Sequence, residues 1–364
     1  MADMLDAKRR LLNHFGIPSS ENGFWESVPL HTKEDIRAAP GPRDFAMVSS
    51  TSGSTGAPSY VFYSQDAYHA FIGRAVRQIK AAGAGKSDIA LNLFAYNYIG
   101  NFCERACIKA GVPVVPLGFQ NTCPKEKTLE AIELIRPTLW LSIPSYALKL
   151  LEELGPAQAD CVPRSIVVTG ERLLESYSKR FNDIGISVSN IFGMTECPFI
   201  GISKKEDFRT FRVTGSDIFL ETLDTEKGTE LVVTDLKNFS TPVIRYKTGD
   251  VVTRVKYNED GSVREFHLES REDDRIKINS ELFSKSSIED AISKYSEDFV
   301  LRVQTKDYAD FIELTLPEKC RPEKNALLQD LSHFRSEKAL VFAGRVDVPR
   351  TSSGKLKRII DLRK

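Results

Sequence analysis

Ser49-Ser-Thr-Ser-Gly-Ser-Thr-Gly-Ala-Pro58 packs hydroxyls, two glycines and a closing proline into one short stretch, and how it is read decides the fold. On composition alone it is a solvated Ser/Gly linker. The residues ahead of it, Asp44-Phe-Ala-Met-Val48, read as a short strand, which makes the stretch a loop leaving a sheet edge. In such a loop glycine lets the backbone approach an anion closely. Successive N–H groups and Ser/Thr hydroxyls then donate to phosphate oxygens. The segments downstream favour this second reading.

Strand-like apolar runs alternate with helix-period segments along the middle of the chain. The strands are expected over 88–93, 112–115, 139–143, 164–169 and 187–192, with amphipathic helices over 125–136, 145–154 and 173–181. That alternation predicts crossover units and a mostly parallel, helix-covered sheet. Thr169-Gly-Glu171 and Phe192-Gly-Met-Thr-Glu196 follow expected strands directly, which puts them at carboxyl ends, where open α/β sheets bind ligands. From Phe211 the pattern changes to strands separated by turns, a β-rich subdomain. A helix near 286–295 and strands near 299–304 and 311–316 then suggest a small α/β domain. The expected fold is α/β, with a large N-terminal domain over residues 1–272 and a small, mobile C-terminal domain over 273–364.

Lysine plus arginine equals aspartate plus glutamate at 50 each, so no net field points to nucleic acid or an anionic membrane. Small molecules are the expected partners. No apolar run approaches a membrane span and the first ten residues lack the order of a signal peptide, which predicts a cytoplasmic protein. Cys103, Cys107, Cys123, Cys161, Cys197 and Cys320 form no C-x-x-C pair. They are read as reduced thiols, with Cys103 and Cys107 on one helix face as core and no structural zinc expected. Gly83-Ala-Gly-Lys-Ser87 ends like a nucleotide P-loop, but Lys80 stands where its first glycine belongs. It reads as a helix-ending turn with Gly83 and Gly85 as left-handed caps.

Six segments stand in a telling order: Thr51-Ser-Gly-Ser-Thr-Gly-Ala-Pro58, Thr169-Gly-Glu171, Ile191-Phe-Gly-Met-Thr-Glu196, Arg245-Tyr-Lys-Thr-Gly-Asp250, Ser270-Arg-Glu-Asp-Asp274 and Pro349-Arg-Thr-Ser-Ser-Gly-Lys355. Together they resemble the acyl-adenylate-forming superfamily of acyl-CoA synthetases and adenylation domains. Ala110-Gly-Val-Pro-Val-Val-Pro116 and Ile135-Arg-Pro-Thr-Leu-Trp-Leu-Ser-Ile-Pro-Ser-Tyr146 are similar to the phenylacetate-CoA ligase branch. The likeness runs from about residue 45 to the C-terminus, with a front end shorter than the family's.

The resemblance implies that ATP and a small-molecule carboxylic acid form an acyl-adenylate and pyrophosphate, after which a thiol captures the acyl group. Ser52, Ser54, Thr55 and Gly56 would wrap the β- and γ-phosphates, and Glu196 would hold Mg2+, a hard cation suited to a hard oxygen ligand. Thr195 would bond the α-phosphate. Phe192, where the family has tyrosine, would stack on adenine beside Gly193, and Gly170 and Glu171 would line the adenine edge. Asp250, assisted by Arg271, would accept from the ribose hydroxyls. Lys355 would bridge the attacking carboxylate and the α-phosphate, where charge shifts in the transition state.

Two departures from the family matter. Ser59 stands where many relatives carry a lysine after the phosphate loop, so the loop has no cation of its own. Asp273 matches the family's hinge for swinging the C-terminal domain, but Ser280 occupies a position where relatives have glycine. By the resemblance, a serine there would crowd the path of a pantetheine arm, so that of the two acceptors left open, coenzyme A and the phosphopantetheine of an acyl or peptidyl carrier protein, the short front end and Ser280 tilt the expectation slightly away from free coenzyme A. An amine acceptor is the enzymatic alternative, and a silent nucleotide-binding scaffold the non-enzymatic one. Tyr96, Tyr98, Phe102 and Phe119 are candidates for an acyl pocket and equally for plain core.

Overall fold

Apolar runs without alternation become strands covered on both faces, and these set the architecture. The computed structural model describes residues 2–18, 25–39, 41–50, 59–96, 98–271, 274–278, 281–306, 309–332, 336–350 and 356–363. They fall into two units, Met1–Thr169 with Phe181–Glu269, and Gly170–Arg180 with Ser270–Lys364.

The first unit opens with α1 (Ala2–Phe15), α2 (Lys33–Ala38), the hairpin β1 (Met47–Ser50) and β2 (Tyr60–Tyr63), and α3 (Gln65–Ala81). It continues through β3 (Ala90–Asn92), α4 (Ile99–Ala110), β4 (Val114–Pro116), α5 (Lys125–Ile135), β5 (Leu139–Ser142), α6 (Pro144–Glu153) and β6 (Ser165–Val168). After α7 (Glu175–Asp183), which straddles the division, come β7 (Ser187–Phe192), β8 (Gly201–Ser203), β9 (Thr210–Val213), β10 (Ile218–Thr225), β11 (Gly228–Asp235), β12 (Tyr246–Tyr257) and β13 (Val263–Arg271).

Among the described residues, eleven of these strands form one sheet in the order β10-β11-β12-β13-β9-β8-β7-β6-β5-β3-β4. The run from β7 to β4 is parallel, as the alternation predicts. Every residue of β5 and β6 is buried. The β-rich stretch continues this sheet: β8 pairs antiparallel with β7, and β9 with β8. Strand order reverses beside β3, because the chain steps from β3 to β4 and then returns to place β5 on the other side. That is a topological switch point, with the ends of β3, β5, β6 and β7 on one edge.

Local sequence explains the helix ends. The Ser64 hydroxyl caps α3 by accepting from the Ala67 amide at 3.3 Å. Gly83, just past that helix, takes a left-handed φ of 88°, so the P-loop-like stretch is a helix-ending turn; Gly85 is not left-handed. Helices α3 and α4 pack through a ring cluster in which Phe71 and Phe102 meet edge to face at 5.6 Å. Cys103 and Cys107 are buried on α4 in the same core, and burial pushes the Cys107 thiol up to about 12. All six cysteines are free.

The second unit carries β14 (Arg275–Ile278), β15 (Glu281–Ser284), α8 (Lys285–Ser293), β16 (Val300–Lys306), β17 (Ala309–Pro317), α9 (Lys324–Asp330), β18 (Glu337–Ala343) and β19 (Ile359–Asp361). Four of its strands form a sheet in the order β18-β17-β16-β19. Its core gathers Ile288 and Ile292 of α8 against Leu301, Val303, Ile312 and Leu314 of the sheet.

Candidate active site

The chain leaving β7 makes a tight loop over Gly193–Phe199 whose neck is closed by the Ile200 amide donating to the Phe192 carbonyl at 2.9 Å. Glycine is required at its start. A Cβ on Gly193 would come within 2.7 Å of the Phe199 backbone nitrogen, too close for any side chain. At the other end Phe199 holds a left-handed φ of 58°, a strained conformation for a residue with a bulky side chain. Between them the Met194 amide donates to the Cys197 carbonyl at 3.1 Å and turns Thr195 and Glu196 outward from the strand.

Three tyrosines from distant parts of the chain meet these two residues. The Tyr63 hydroxyl, at the end of β2, donates to the Thr195 carbonyl at 2.6 Å. The Tyr98 hydroxyl is hydrogen bonded to the Thr195 side chain, and burial raises its phenol above the usual range. The Tyr246 hydroxyl donates to Glu196 Oε1 at 3.2 Å. Glu196 itself is only 6% exposed. Sequence reading placed Thr195 and Glu196 but missed Tyr63 and Tyr246 as their supports.

A buried carboxylate held by a neutral phenol fits a hard divalent cation, since the phenol orients the oxygen without neutralising it. Among the described residues no group of three or more His, Cys, Asp or Glu could hold a metal.

Asp250 sits in β12 and is 2% exposed. The pairing of β11 with β12 shifts register between Val232↔Lys247 and Glu230↔Val251, a bulge that contains Thr248-Gly-Asp250. Gly249 supplies the left-handed φ of 73° the bulge needs. The Thr248 hydroxyl donates to the Leu231 carbonyl at 2.7 Å and accepts from the Asp250 amide at 3.0 Å, so the carboxylate is presented from a fixed backbone.

The aromatic candidates part company. Phe102 is fully buried with its ring against Tyr63, Tyr68, Phe71 and Phe199, which makes it core. Phe119 pairs edge to face with Tyr146 at 4.9 Å. Tyr96 is 37% exposed beyond the end of β3, with its hydroxyl donating to Glu104 at 2.9 Å. Phe192 is 8% exposed and packs against Phe211 and Phe266, at 5.4 and 5.2 Å between centroids.

Beside Ser59 the structure places a cation that sequence reading missed. Ser59, the residue after the loop's proline, is buried and its hydroxyl accepts from Arg37 Nε of α2 at 2.9 Å. Ser52, Ser54, Thr55 and Gly56 lie outside the described residues.

In the second unit Gly170 has a left-handed φ of 82°. The Glu171 carboxylate accepts from the Leu356 amide at 3.2 Å, next to the motif that carries Lys355. Arg358 is buried, donates to the Glu297 carbonyl at 2.9 Å and bonds the Tyr177 hydroxyl. Arg271 is exposed at the end of β13. Asp273, Ser280 and Lys355 lie outside the described residues.

Residues 6–222 match the family described as "AMP-binding enzyme", reaching back well before the segment in which the likeness is legible by eye. The chain is similar to the phenylacetate-coenzyme A ligase of Escherichia coli strain K12, 24% identical with 92% of this chain and 84% of that protein covered. It is also similar to the phenylacetate-coenzyme A ligase of Thermus thermophilus, 26% identical with 98% and 92% covered. Among solved structures, a 2-hydroxyisobutyryl-CoA ligase in complex with its acyl-AMP superposes with a TM-score of 0.77 at 19% identity, covering 98% of this chain and 85% of that one. An amide bond synthetase from Marinactinospora thermotolerans gives 0.61 at 20% identity, covering 94% and 72%. At these identities the superpositions establish the fold.

Proposed function

Because the chain belongs to the AMP-binding enzyme family, we propose that it activates a carboxylic acid with ATP and passes the acyl group to the thiol of coenzyme A. The observation that carries this reading is Glu196, buried at the carboxyl end of a parallel strand on a loop fixed from both ends. The substrate carboxylate attacks the α-phosphorus, the bond to the bridging oxygen breaks, and pyrophosphate leaves. The thiol then attacks the acyl carbon and AMP leaves.

Each group takes a place in those steps. Thr195 donates its hydroxyl to the α-phosphate, and Lys355 bridges the carboxylate and the α-phosphate as charge moves between them. Magnesium bound at Glu196 would supply neutralisation of phosphate charge. Arg37 provides the cation that Ser59 does not. Phe192 stacks on adenine beside Gly193 and Gly170, Asp250 accepts from the ribose hydroxyls with help from Arg271, and Asp273 is the hinge of a C-terminal domain beginning there. Tyr96 and Tyr98, at the end of β3, line the acyl site for a small aromatic acid. The names of the relatives support coenzyme A over a carrier protein or an amine as the acceptor. Among the described residues no helix is long and apolar enough to cross a membrane, and a cytoplasmic location is part of the proposal.

The test is acid-dependent ATP–pyrophosphate exchange over a panel running from phenylacetate and benzoate to short aliphatic acids, followed by thioester formation with coenzyme A. Exchange with at least one acid is expected. Exchange with none would leave a silent nucleotide binder. Lys355→Ala should slow exchange by roughly 100-fold or more while ATP still binds, because its charge acts on the transition state.

A further inference from the structure

Gln78 is fully buried in the last turn of α3, on the same face as Phe71, Ala75 and Ile79, where an apolar side chain would ordinarily stand. Its Nε2 donates to the Phe199 carbonyl at 2.9 Å and to the Thr214 hydroxyl at 2.8 Å. A carbonyl can only accept, so this bond fixes which end of the amide faces the loop. The other end, Oε1, has no hydrogen-bond partner among the described residues. A methionine of similar length would fill the same space but leave the Phe199 carbonyl and the Thr214 hydroxyl without this donor.

One helical turn earlier, Arg74 is also fully buried. It donates to Asp217 Oδ2 and Asp235 Oδ2, each at 2.9 Å, and reaches the Pro198 carbonyl and the Cys197 thiol at 3.4 Å. With Arg77 beside Asp217 at 3.5 Å, two guanidiniums balance two carboxylates. Asp235 in turn accepts from the amides of Lys237 and Asn238, and Asn238 Oδ1 accepts from the Ser64 amide just past β2. So α3 grips the carbonyls of Pro198 and Phe199 directly and connects them, through the 235–238 turn, to the strand that leaves the phosphate loop.

We propose that Gln78 is a positioning residue for adenylate formation: its hydrogen bond to the Phe199 carbonyl, backed by Arg74 on Pro198, holds the strained end of the loop that presents Thr195 and Glu196. Phe199 at φ 58° would relax if its carbonyl were released, and Glu196 lies three residues away on a loop with no slack. Gln78 touches no substrate and acts only through this loop. The inference rests on the reading of Glu196 as the magnesium carboxylate.

The test is Gln78→Met, which leaves the charge network of Arg74 intact. The expected result is a thermal midpoint lowered by about a few degrees, together with adenylation per folded molecule slowed roughly 10- to 100-fold. The KM for the acid should be unchanged, and magnesium should be needed at higher concentration. Mn2+ binding in the presence of ATP, read by electron paramagnetic resonance, should weaken in parallel, a readout independent of turnover. A stable variant with wild-type rate and metal affinity overturns the proposal, and so does a variant whose activity falls only as far as its folded fraction. Glu196→Gln, run alongside, tests the other reading by itself: an unchanged magnesium titration there removes Glu196 from the metal site whatever Gln78→Met does.

Discussion

The loop Gly193–Phe199 and the segment Gly170–Arg180 each follow one of two neighbouring parallel strands, β7 and β6, yet they differ in how their charged groups hold them. The loop belongs to the first unit and is fixed by donors that are buried, namely Tyr63, Gln78 and Arg74. The segment belongs to the second unit and, beside the buried bond of Arg358 to the Tyr177 hydroxyl, is held by ion pairs that water reaches. Arg172 pairs with Asp290 of α8 at 2.7 Å, Arg180 pairs with Glu297, and Glu171 accepts from the Leu356 amide. Buried bonds resist salt and pH, whereas partly exposed ion pairs yield to both. The comparison separates what must be rigid for chemistry from what can be released by solution conditions.

The largest effect that can test this contrast is Gly193→Ala. The added carbon would stand 2.7 Å from a backbone nitrogen that cannot swing away, so the neck of the loop has to open. A displacement of about 1 Å at Glu196 is enough to slow adenylation by on the order of 100-fold. Pyrophosphate exchange measures it. A variant with near-normal exchange would mean that the loop has room to spare and that its rigidity has been overstated.

Why the loop was legible while its supports were not follows from distance along the chain. Gly193, Thr195 and Glu196 sit side by side in one motif after an apolar strand, so local reading finds them. Tyr63, Gln78 and Tyr246 come from three other elements and meet the loop only once the sheet and α3 are assembled. A faint signal existed: Arg74 and Gln78 are polar residues one turn apart on a face otherwise made of Phe71, Ala75 and Ile79. Polar groups at core positions must find partners there, and that requirement can be read from periodicity even though the partners cannot.

Arg245 shows the converse. It lies inside a legible motif, yet its guanidinium donates to the carbonyls of Trp25, Glu26 and Val28 and ties the front of the chain to β12. The strand alternation fixed the parallel half of the sheet. That the later strands would extend the same sheet was not legible, because antiparallel additions to an edge leave no mark in spacing.

The second effect is intermediate and concerns pH. Glu289 of α8 is pushed up from 4.5 to about 7, chiefly by burial and partly by the carboxylates of Asp274 and Glu171, while Arg358 and Arg172 pull the other way. The unfolded chain releases this proton near 4.5 and the folded chain near 7. Between those values the folded state binds more protons, so stability falls as pH rises through that window, and the cost is complete above it. Glu289→Gln removes the cost. At about pH 8 the variant should melt a few degrees above the wild type, and at about pH 4.5 the two should coincide. Parallel wild-type and variant curves across that range would show that Glu289 is solvated and that the second unit is less sensitive to pH than its charges suggest.

The smallest effect compares two arginines directly. Arg74 is wholly buried against Asp235, whereas the side chains of Arg172 and Asp290 keep 27% and 19% of their exposure. Pairs that water reaches contribute about 0.2 to 1 kcal/mol and are screened once the Debye length shrinks to ~3 Å in molar salt. A double-mutant cycle of Arg172→Gln with Asp290→Asn, read by thermal melting, should therefore give a coupling within that range at low ionic strength and none in molar sodium chloride. The matching cycle of Arg74→Met with Asp235→Asn should keep its coupling at both salt concentrations, because removing either partner strands a charge that no counterion can approach. Equal salt sensitivity in the two cycles would erase the distinction between a fixed loop and a releasable segment. A coupling for Arg172 that survives molar salt would instead place that segment among the rigid parts of the molecule.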